Sequence, residues 1–279
     1  EEPSDACNIV FQTVVRWGFR TPHNRDKTGA KMNPAIAIIP ARYASSRFPG
    51  KALALLCGKP IIQHVFERVS SSKLFQDVAV ATDDERIAAV IRDIGGKCII
   101  TAADLPSGTD RIAAAISAFN PPEDSIIFNV QGDEPLISVQ VLTDLLSAFH
   151  DPGVEMASLM CSLEDPDEPG NPNLVKVVVD SCSYALYFSR SIIPFDRDGA
   201  REVCYMRHIG VYAYRKATLE RFVRLMPGKL ENIEKLEQLR ALENGIRIRM
   251  VTTEYQGIGI DTPQDLQNME ALLKKGVSL

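Results

Sequence analysis

From residue 35 onward, short and uniformly apolar runs alternate with segments whose apolar residues recur every three or four positions. No other feature of the chain limits its fold so strongly, because the two periods belong to different backbones. Residues 35–39, 78–81, 98–100 and 126–130 have the length and character of buried strands. Between them, Ile61, Ile62, Val65, Phe66 and Val69 follow Pro60, a residue favoured at a first helical turn. Ile87, Val90, Ile91 and Ile94 make a second helix that runs into Gly95-Gly96, a stop signal. Ile112, Ile116 and Phe119 share a face in a helix that starts near Thr109. Ser138 stands at the N-cap of a fourth helix carrying Leu142, Leu145, Leu146 and Phe149. Strands without polar alternation, each followed by a helix, dictate an α/β fold with a mostly parallel sheet covered on both faces. Such sheets bind ligands where the carboxyl ends of the strands meet their loops. The functional loops are therefore expected after Ile39, Ala81, Ile100 and Val130.

The second half is more mixed. Residues 174–179, 184–188 and 208–214 read as strands, the first two as a hairpin about residues 180–183. Helices are expected over 217–224 and 231–243, followed by a strand at 246–252. The last helix opens with a capping-box pattern, Thr262-Pro263-Gln264-Asp265, before Leu266, Met269 and Leu273. Residues 165–172 hold three prolines and read as a surface loop. No repeat or linker divides residues 34–279, which read as one α/β domain with a smaller α+β lobe. Residues 1–33 differ from the rest. They are mildly amphipathic from Cys7 to Phe19, hold the only tryptophan (Trp17) and then turn polar. They read as an N-terminal extension or an appended segment, with a partly ordered helix as the alternative.

Composition narrows the function. Lys and Arg number 31 against 36 Asp and Glu, a net charge of −5, which argues against a protein that coats nucleic acid. A small anion in a local basic pocket stays compatible with it. Six scattered cysteines with no CxxC pair point away from structural zinc and thioredoxin-like chemistry, and toward a reducing, cytoplasmic setting. No apolar run approaches the roughly 18 to 20 residues that span a bilayer.

Four segments carry the candidate chemistry. Pro40-Ala41-Arg42-Tyr43-Ala44-Ser45-Ser46-Arg47-Phe48-Pro49-Gly50-Lys51 places Arg42, Arg47 and Lys51 directly after the first strand. Guanidinium forks, an ammonium and backbone N–H groups are what a polyphosphate requires. The loop is neither a Walker A sequence nor a GxGxxG fingerprint. The fourth loop, Asn129-Val130-Gln131-Gly132-Asp133-Glu134-Pro135, puts an acid at the same sheet edge, where it reads as a magnesium ligand or as an Asx-type turn. Gly259-Ile260-Asp261 offers a second carboxylate, freed from capping because Thr262 can cap the last helix. Ser107-Gly108-Thr109-Asp110-Arg111 exposes N–H donors beside Arg111 and could read a base edge or ribose; as a plain N-cap it would be unremarkable.

Taken together these segments resemble the 3-deoxy-manno-octulosonate cytidylyltransferase (CMP-Kdo synthetase) family. So do Ala185-Leu186-Tyr187-Phe188-Ser189-Arg190, Arg207-His208-Ile209-Gly210-Val211-Tyr212, Leu236-Glu237-Gln238-Leu239-Arg240 and Gly259-Ile260-Asp261-Thr262-Pro263. The match runs in order from about residue 35 to the last helix. The resemblance implies a glycosyltransferase-A-like nucleotidyltransferase fold and a homodimer. It implies an enzyme that joins CTP to 3-deoxy-D-manno-octulosonate (Kdo) with Mg²⁺, for lipopolysaccharide assembly. By position, Arg42, Lys51, Asp133 and Asp261 become the catalytic set, with Asp133 and Asp261 on the metal. Ala41, Arg42, Arg47, Lys51, Thr82, Ser107, Gly108 and Arg111 become CTP-binding. Gln131, Tyr187, Arg190, His208, Glu237 and Gln238 become the sugar-binding set. A related acid sugar, such as 8-amino-Kdo or a sialic-acid-like acceptor, is the alternative substrate; a non-catalytic nucleotide-binding regulator is the alternative class.

Overall fold

The computed structural model describes residues 34–44, 47–165, 167–199 and 203–274. The readings of residues 1–33, and of Ser45 and Ser46, lie outside the described residues. Among the described residues, nine strands join one sheet. The first half builds β1 (Ala35–Ala41), α1 (Ile61–Ser71), β2 (Asp77–Thr82), α2 (Glu85–Asp93), β3 (Lys97–Ile100), α3 (Gly108–Phe119), β4 (Ile126–Asn129) and α4 (Val139–Ser147). The second half adds β5 (Met156–Ser162), β6 (Lys176–Val179), β7 (Ala185–Ser189) and β8 (Met206–Arg215). It ends with α5 (Lys216–Val223), α6 (Lys229–Glu234), α7 (Gln238–Glu243), β9 (Ile248–Thr252) and α8 (Pro263–Lys274).

The main path runs β9-β5-β8-β4-β1-β2-β3, with the β6–β7 hairpin attached to β8. Only β8 runs against the other six strands of that path. The strand alternation of β1 shows why both faces need cover. Ala35, Ala37, Ile39 and Ala41 belong to a core filled by α1, α2 and α4, whereas Ile36 and Ile38 belong to one filled by α3, α5 and α7. A third, smaller cluster of Leu56, Ile61, Leu136, Ile260 and Met269 seats α8. Side-chain caps start the helices where the residues announce them: Asp84 accepts from the Arg86 N–H, Ser107 from Asp110 and Ser138 from Val141. Each such cap stabilises its helix by about 1 kcal/mol.

One element went unread in the sequence and one reading needs correction. Residues 156–162 form a fully fledged strand that the residues do not announce. Met-Ala-Ser-Leu-Met-Cys-Ser has no β-branched member, and β5 owes its conformation to its place between β8 and β9. The single helix expected over 231–243 is two, because Lys235 takes a left-handed conformation with φ 55. Before the break Ile233 stands out at 77% exposure, while Leu236 and Leu239 after it are buried.

Strands β2 and β4 flank β1 on opposite sides, so the chain reverses its direction of travel across the sheet there. The loops that leave β1 and β4 must diverge at that point and open a crevice.

Candidate functional site

Pro40 lies inside β1 without harm. Ile38 accepts from the Val130 N–H on the β4 side, and by strand alternation Pro40 faces the same side two residues on, beyond the end of β4. No ladder bond is lost there. Past Ala41 the chain loops out and closes again where the Gly50 N–H donates to the Tyr43 carbonyl at 3.0 Å. Gly50 sits at φ 72, which costs glycine nothing. A short 3₁₀ turn at Lys51–Leu53 then returns Lys51 to the sheet edge.

Two acids meet it there. The Lys51 Nζ donates to Asp133 Oδ2 at 2.5 Å and to Asp261 Oδ1 at 2.9 Å, and Arg47 pairs with Asp261 Oδ2 at 3.0 Å. Burial pulls the Lys51 ammonium down, but Asp133 and then Asp261 outweigh it and hold its pKa above the ordinary value. The placement of both acids is local and rigid. A Cβ on Gly132 would come within 2.9 Å of the Pro40 carbonyl, so only glycine lets the β4 loop pass that close to β1. The Ile260 N–H donates to the Asp133 carbonyl at 3.0 Å, registering the two acid-bearing segments directly. Asp265 accepts from the Asp261 and Thr262 N–H groups at 3.0 and 2.8 Å, while Thr262 accepts from Asp265. That reciprocal box satisfies the helix start and leaves the Asp261 carboxylate for Lys51 and Arg47.

Residues to which the sequence assigned no role brace the same segments. Glu134 turns inward beneath Asp133 and accepts from the Tyr255 hydroxyl at 3.2 Å; burial, with Asp133 beside it, pushes its carboxyl up to about 7. Arg207 donates to the Gln256 and Gly257 carbonyls at 2.7 and 3.2 Å. The only sequence signal for these ties is proximity to Asp133 and His208.

An open cavity of about 310 Å³ lies over this cluster, large enough for a small-molecule ligand. Its wall includes Ala41, Arg42, Arg47, Lys51 and Gln131, together with Ser107, Gly108, Arg111, Asp133 and Asp261. Leu105 adds an apolar panel that the sequence reading passed over. Arg111 is almost wholly buried: it donates to Thr101 Oγ1 and the Ala102 carbonyl and pairs with Asp83 at 3.3 Å. Thr82 is absent from that wall. It is fully buried, and its Oγ1 accepts from the Asp84 N–H at 3.2 Å, so it shapes the loop that carries Asp83.

The other expected sugar residues stand apart from this wall. Glu237 accepts from Thr109 Oγ1 at 2.6 Å, while its Oε1 and the Gln238 Nε2 are buried with no hydrogen-bond partner among the described residues; Oε1 has Arg240 at 3.8 Å. Gln131 joins the two regions by donating to the Gly210 carbonyl at 3.1 Å. Tyr187 lies on β7. Arg190 spends its guanidinium on the carbonyls of Glu234 and Pro172 at 2.8 and 2.9 Å.

His208 keeps some solvent contact, but its ring is packed against Phe188 and Tyr212 and its Nε2 meets Ser158 Oγ at 2.9 Å. Burial, helped by Arg207, drives its pKa down to about 3. A neutral ring offers a sugar a hydrogen bond, not a charge. Because the folded value lies below the unfolded 6.5 or so, the folded chain resists protonation that the unfolded chain accepts. His208 thus contributes stability that is complete above pH 6.5 and is lost as pH falls toward 3. We expect its ring proton resonances to stay flat from pH 8 to pH 5; a titration midpoint near 6 would contradict this packing.

Comparison with known proteins supplies the remaining constraint. The family model for cytidylyltransferases matches residues 36–248. The 3-deoxy-manno-octulosonate cytidylyltransferase of Thermodesulfovibrio yellowstonii is 50% identical over 248 residues, 85% of this chain and 97% of the relative. The 8-amino-3,8-dideoxy-manno-octulosonate cytidylyltransferase of Shewanella baltica is 47% identical over 238 residues, with 85% and 97% covered. Among solved structures, a CMP:2-keto-3-deoxy-manno-octonic acid synthetase complexed with CTP aligns with a TM-score of 0.83 at 41% identity, covering 88% of this chain and 100% of that one.

Proposed function

Since the chain belongs to the 3-deoxy-manno-octulosonate cytidylyltransferase family, we propose that it transfers the cytidylyl group of CTP to the anomeric hydroxyl of Kdo, giving CMP-Kdo and pyrophosphate. The observation that carries the site reading is the meeting of Lys51, Arg47, Asp133 and Asp261 at one rim of the sheet, joined by ion pairs of Lys51 with Asp133 at 2.5 Å, Lys51 with Asp261 at 2.9 Å and Arg47 with Asp261 at 3.0 Å. CTP brings about four negative charges and Kdo a carboxylate, so their approach is repulsive unless positive charge is placed between them. Arg42, Arg47 and Lys51 supply it as a clamp on the triphosphate. Ala41, Ser107, Gly108 and Arg111 wall the nucleoside, with Thr82 supporting them from behind.

Asp133 and Asp261 fit a divalent cation, Mg²⁺ in this reading. Both already reach a single cationic atom, and they are the hard oxygen donors such an ion prefers. When bound, the ion would neutralise charge on the attacking and leaving oxygens. The protein's own share is positioning. Gln131, Glu237 and Gln238, with Tyr187 and His208, hold the acid sugar so that its anomeric oxygen stands in line with the departing pyrophosphate, and Arg190 braces that lobe through the Glu234 and Pro172 carbonyls. The α-phosphorus–oxygen bond to pyrophosphate then breaks as the anomeric oxygen bonds to the α-phosphorus, and the hydroxyl proton passes to water.

The enzyme is read as a homodimer of the cytoplasm that serves lipopolysaccharide assembly. Among the described residues no helix is long and apolar enough to cross a membrane. Leu186, Ile192, Phe195 and Ile233 stand out at 61, 45, 83 and 77% exposure, on β7, the segment after it and α6. Ser189 and Arg190 tie these elements together through Glu234. A second copy covering this face would bury them. Light scattering should find a dimer, and Phe195→Asp with Ile233→Asp should shift it to monomer; a wild-type monomer at micromolar concentration would defeat the assignment.

The 8-amino sugar is the second reading, favoured by the Shewanella relative at comparable identity. Pyrophosphate release from CTP and a divalent metal, measured with Kdo and with 8-amino-Kdo in parallel, decides between them. Turnover with Kdo at least tenfold faster is expected; no release with either acid would end the functional reading.

A further inference from the structure

The loop that carries Arg42, Arg47 and Lys51 closes through a backbone hydrogen bond, and one tyrosine ring packs against that closure. The Tyr43 carbonyl receives the Gly50 N–H at 3.0 Å. The Tyr43 ring then lies against Gly50 so closely that a Cβ there would stand 3.1 Å from Cε2 and 3.3 Å from Cζ. It also packs against the core between β1 and its covering helices and against Arg86, whose guanidinium carbon sits 3.5 Å from the ring centroid. Arg86 is itself held: it donates to Asp84 through Nε at 3.0 Å and Nη2 at 2.7 Å, and Asp84 caps α2. A four-part stack results, running glycine, tyrosine ring, guanidinium, carboxylate. It links the cation loop after β1 to the loop after β2, whose Asp83 holds Arg111 on the far wall of the cavity.

We propose that Tyr43 is a positioning residue for the nucleotide: clamped between Gly50 and the Asp84-anchored Arg86, it sets where Arg42 and Lys51 stand before CTP arrives. This rests on the reading of that loop as the triphosphate clamp. Arg42 immediately precedes Tyr43 and Lys51 immediately follows Gly50, so the closure sits between the two charges it spaces. Without the ring the loop keeps its residues but loses the surface it folds against, and CTP must supply the ordering on binding. Because the clamp holds the triphosphate and not the sugar, the loss falls on one substrate.

The test is steady-state kinetics on the full chain with each substrate varied in turn. Tyr43→Ala is expected to raise the KM for CTP about tenfold or more, leave the KM for Kdo within about twofold, and shift the melting temperature little. Tyr43→Phe, which keeps the ring face, is expected to restore the CTP KM to within about threefold. An exposed cation–π stack is weak, so Arg86→Gln should raise it only about two- to fivefold. An unchanged CTP KM in Tyr43→Ala, equal rises for both substrates, or failure of Phe to rescue overturns the proposal. Should Tyr43→Ala not fold, Arg86→Gln decides: a selective CTP effect supports the latch and none defeats it. A wild-type chain that releases no pyrophosphate would instead bring down the functional reading, a separate outcome.

Discussion

Asp133→Ala is expected to lower kcat by about 10²–10³-fold, the usual cost of removing one charged group that stabilises a transition state, while circular dichroism stays that of the parent. Asp133 is the nearer partner of Lys51, and its side chain keeps 27% exposure, so the fold does not depend on packing it. Removing it does two things to the site. One of the two carboxylates that line the cavity is lost, and the Lys51 ammonium is left to Asp261 alone at 2.9 Å. Lys51 is held above its ordinary pKa by these acids, so the stability it contributes is complete below about pH 10 and is lost only as pH rises through the folded value. The activity loss should therefore be flat across neutral pH. Asp133→Asn, which keeps shape and removes charge, should fall nearly as far. Either variant retaining more than about a tenth of the parent's turnover at saturating metal would refute the ligand assignment.

Arg111→Ala should be the most damaging substitution to stability in the site, at about 3–5 kcal/mol, because it strands a buried charge. The side chains of Arg111 and Asp83 are 4% and 16% exposed, and Asp83 Oδ1 already lacks a hydrogen-bond partner among the described residues. For a chain of this size the melting temperature should fall by roughly 10 °C. The pair Asp83→Asn with Arg111→Met removes both charges and should recover most of that loss, the signature of a coupled interaction. Arg111 also lines the cavity, so the double variant should regain stability without regaining the parent's CTP KM. A single variant that melts within about 2 °C of the parent would show that the buried pair contributes little.

Most of the first half was legible from its residues, since each of its elements is long enough to carry its own period. The Ser138 cap, the Gly95-Gly96 stop and the Thr262–Asp265 box all stand where the pattern put them. What failed to show was decided elsewhere in the molecule. β5 has poor strand formers and is a strand because β8 and β9 need a partner between them. The 231–243 region has helical residues throughout, yet Arg190 binds the Glu234 carbonyl while Lys235 turns left-handed. The family resemblance marked Thr82 with Arg111; both are buried, but Arg111 lines the cavity whereas Thr82 turns its hydroxyl to the Asp84 N–H.

By itself the chain determined an alternation of strands and helices, and hence which loops gather at one sheet edge, because side-chain period and capping are local properties. Tertiary structure alone decided that Lys51 meets Asp133, 82 residues away, and Asp261, 210 residues away. It also decided that β8 runs backwards between β4 and β5. Those outcomes depend on which apolar faces bury against each other across long closed loops, and no short window of residues carries that information.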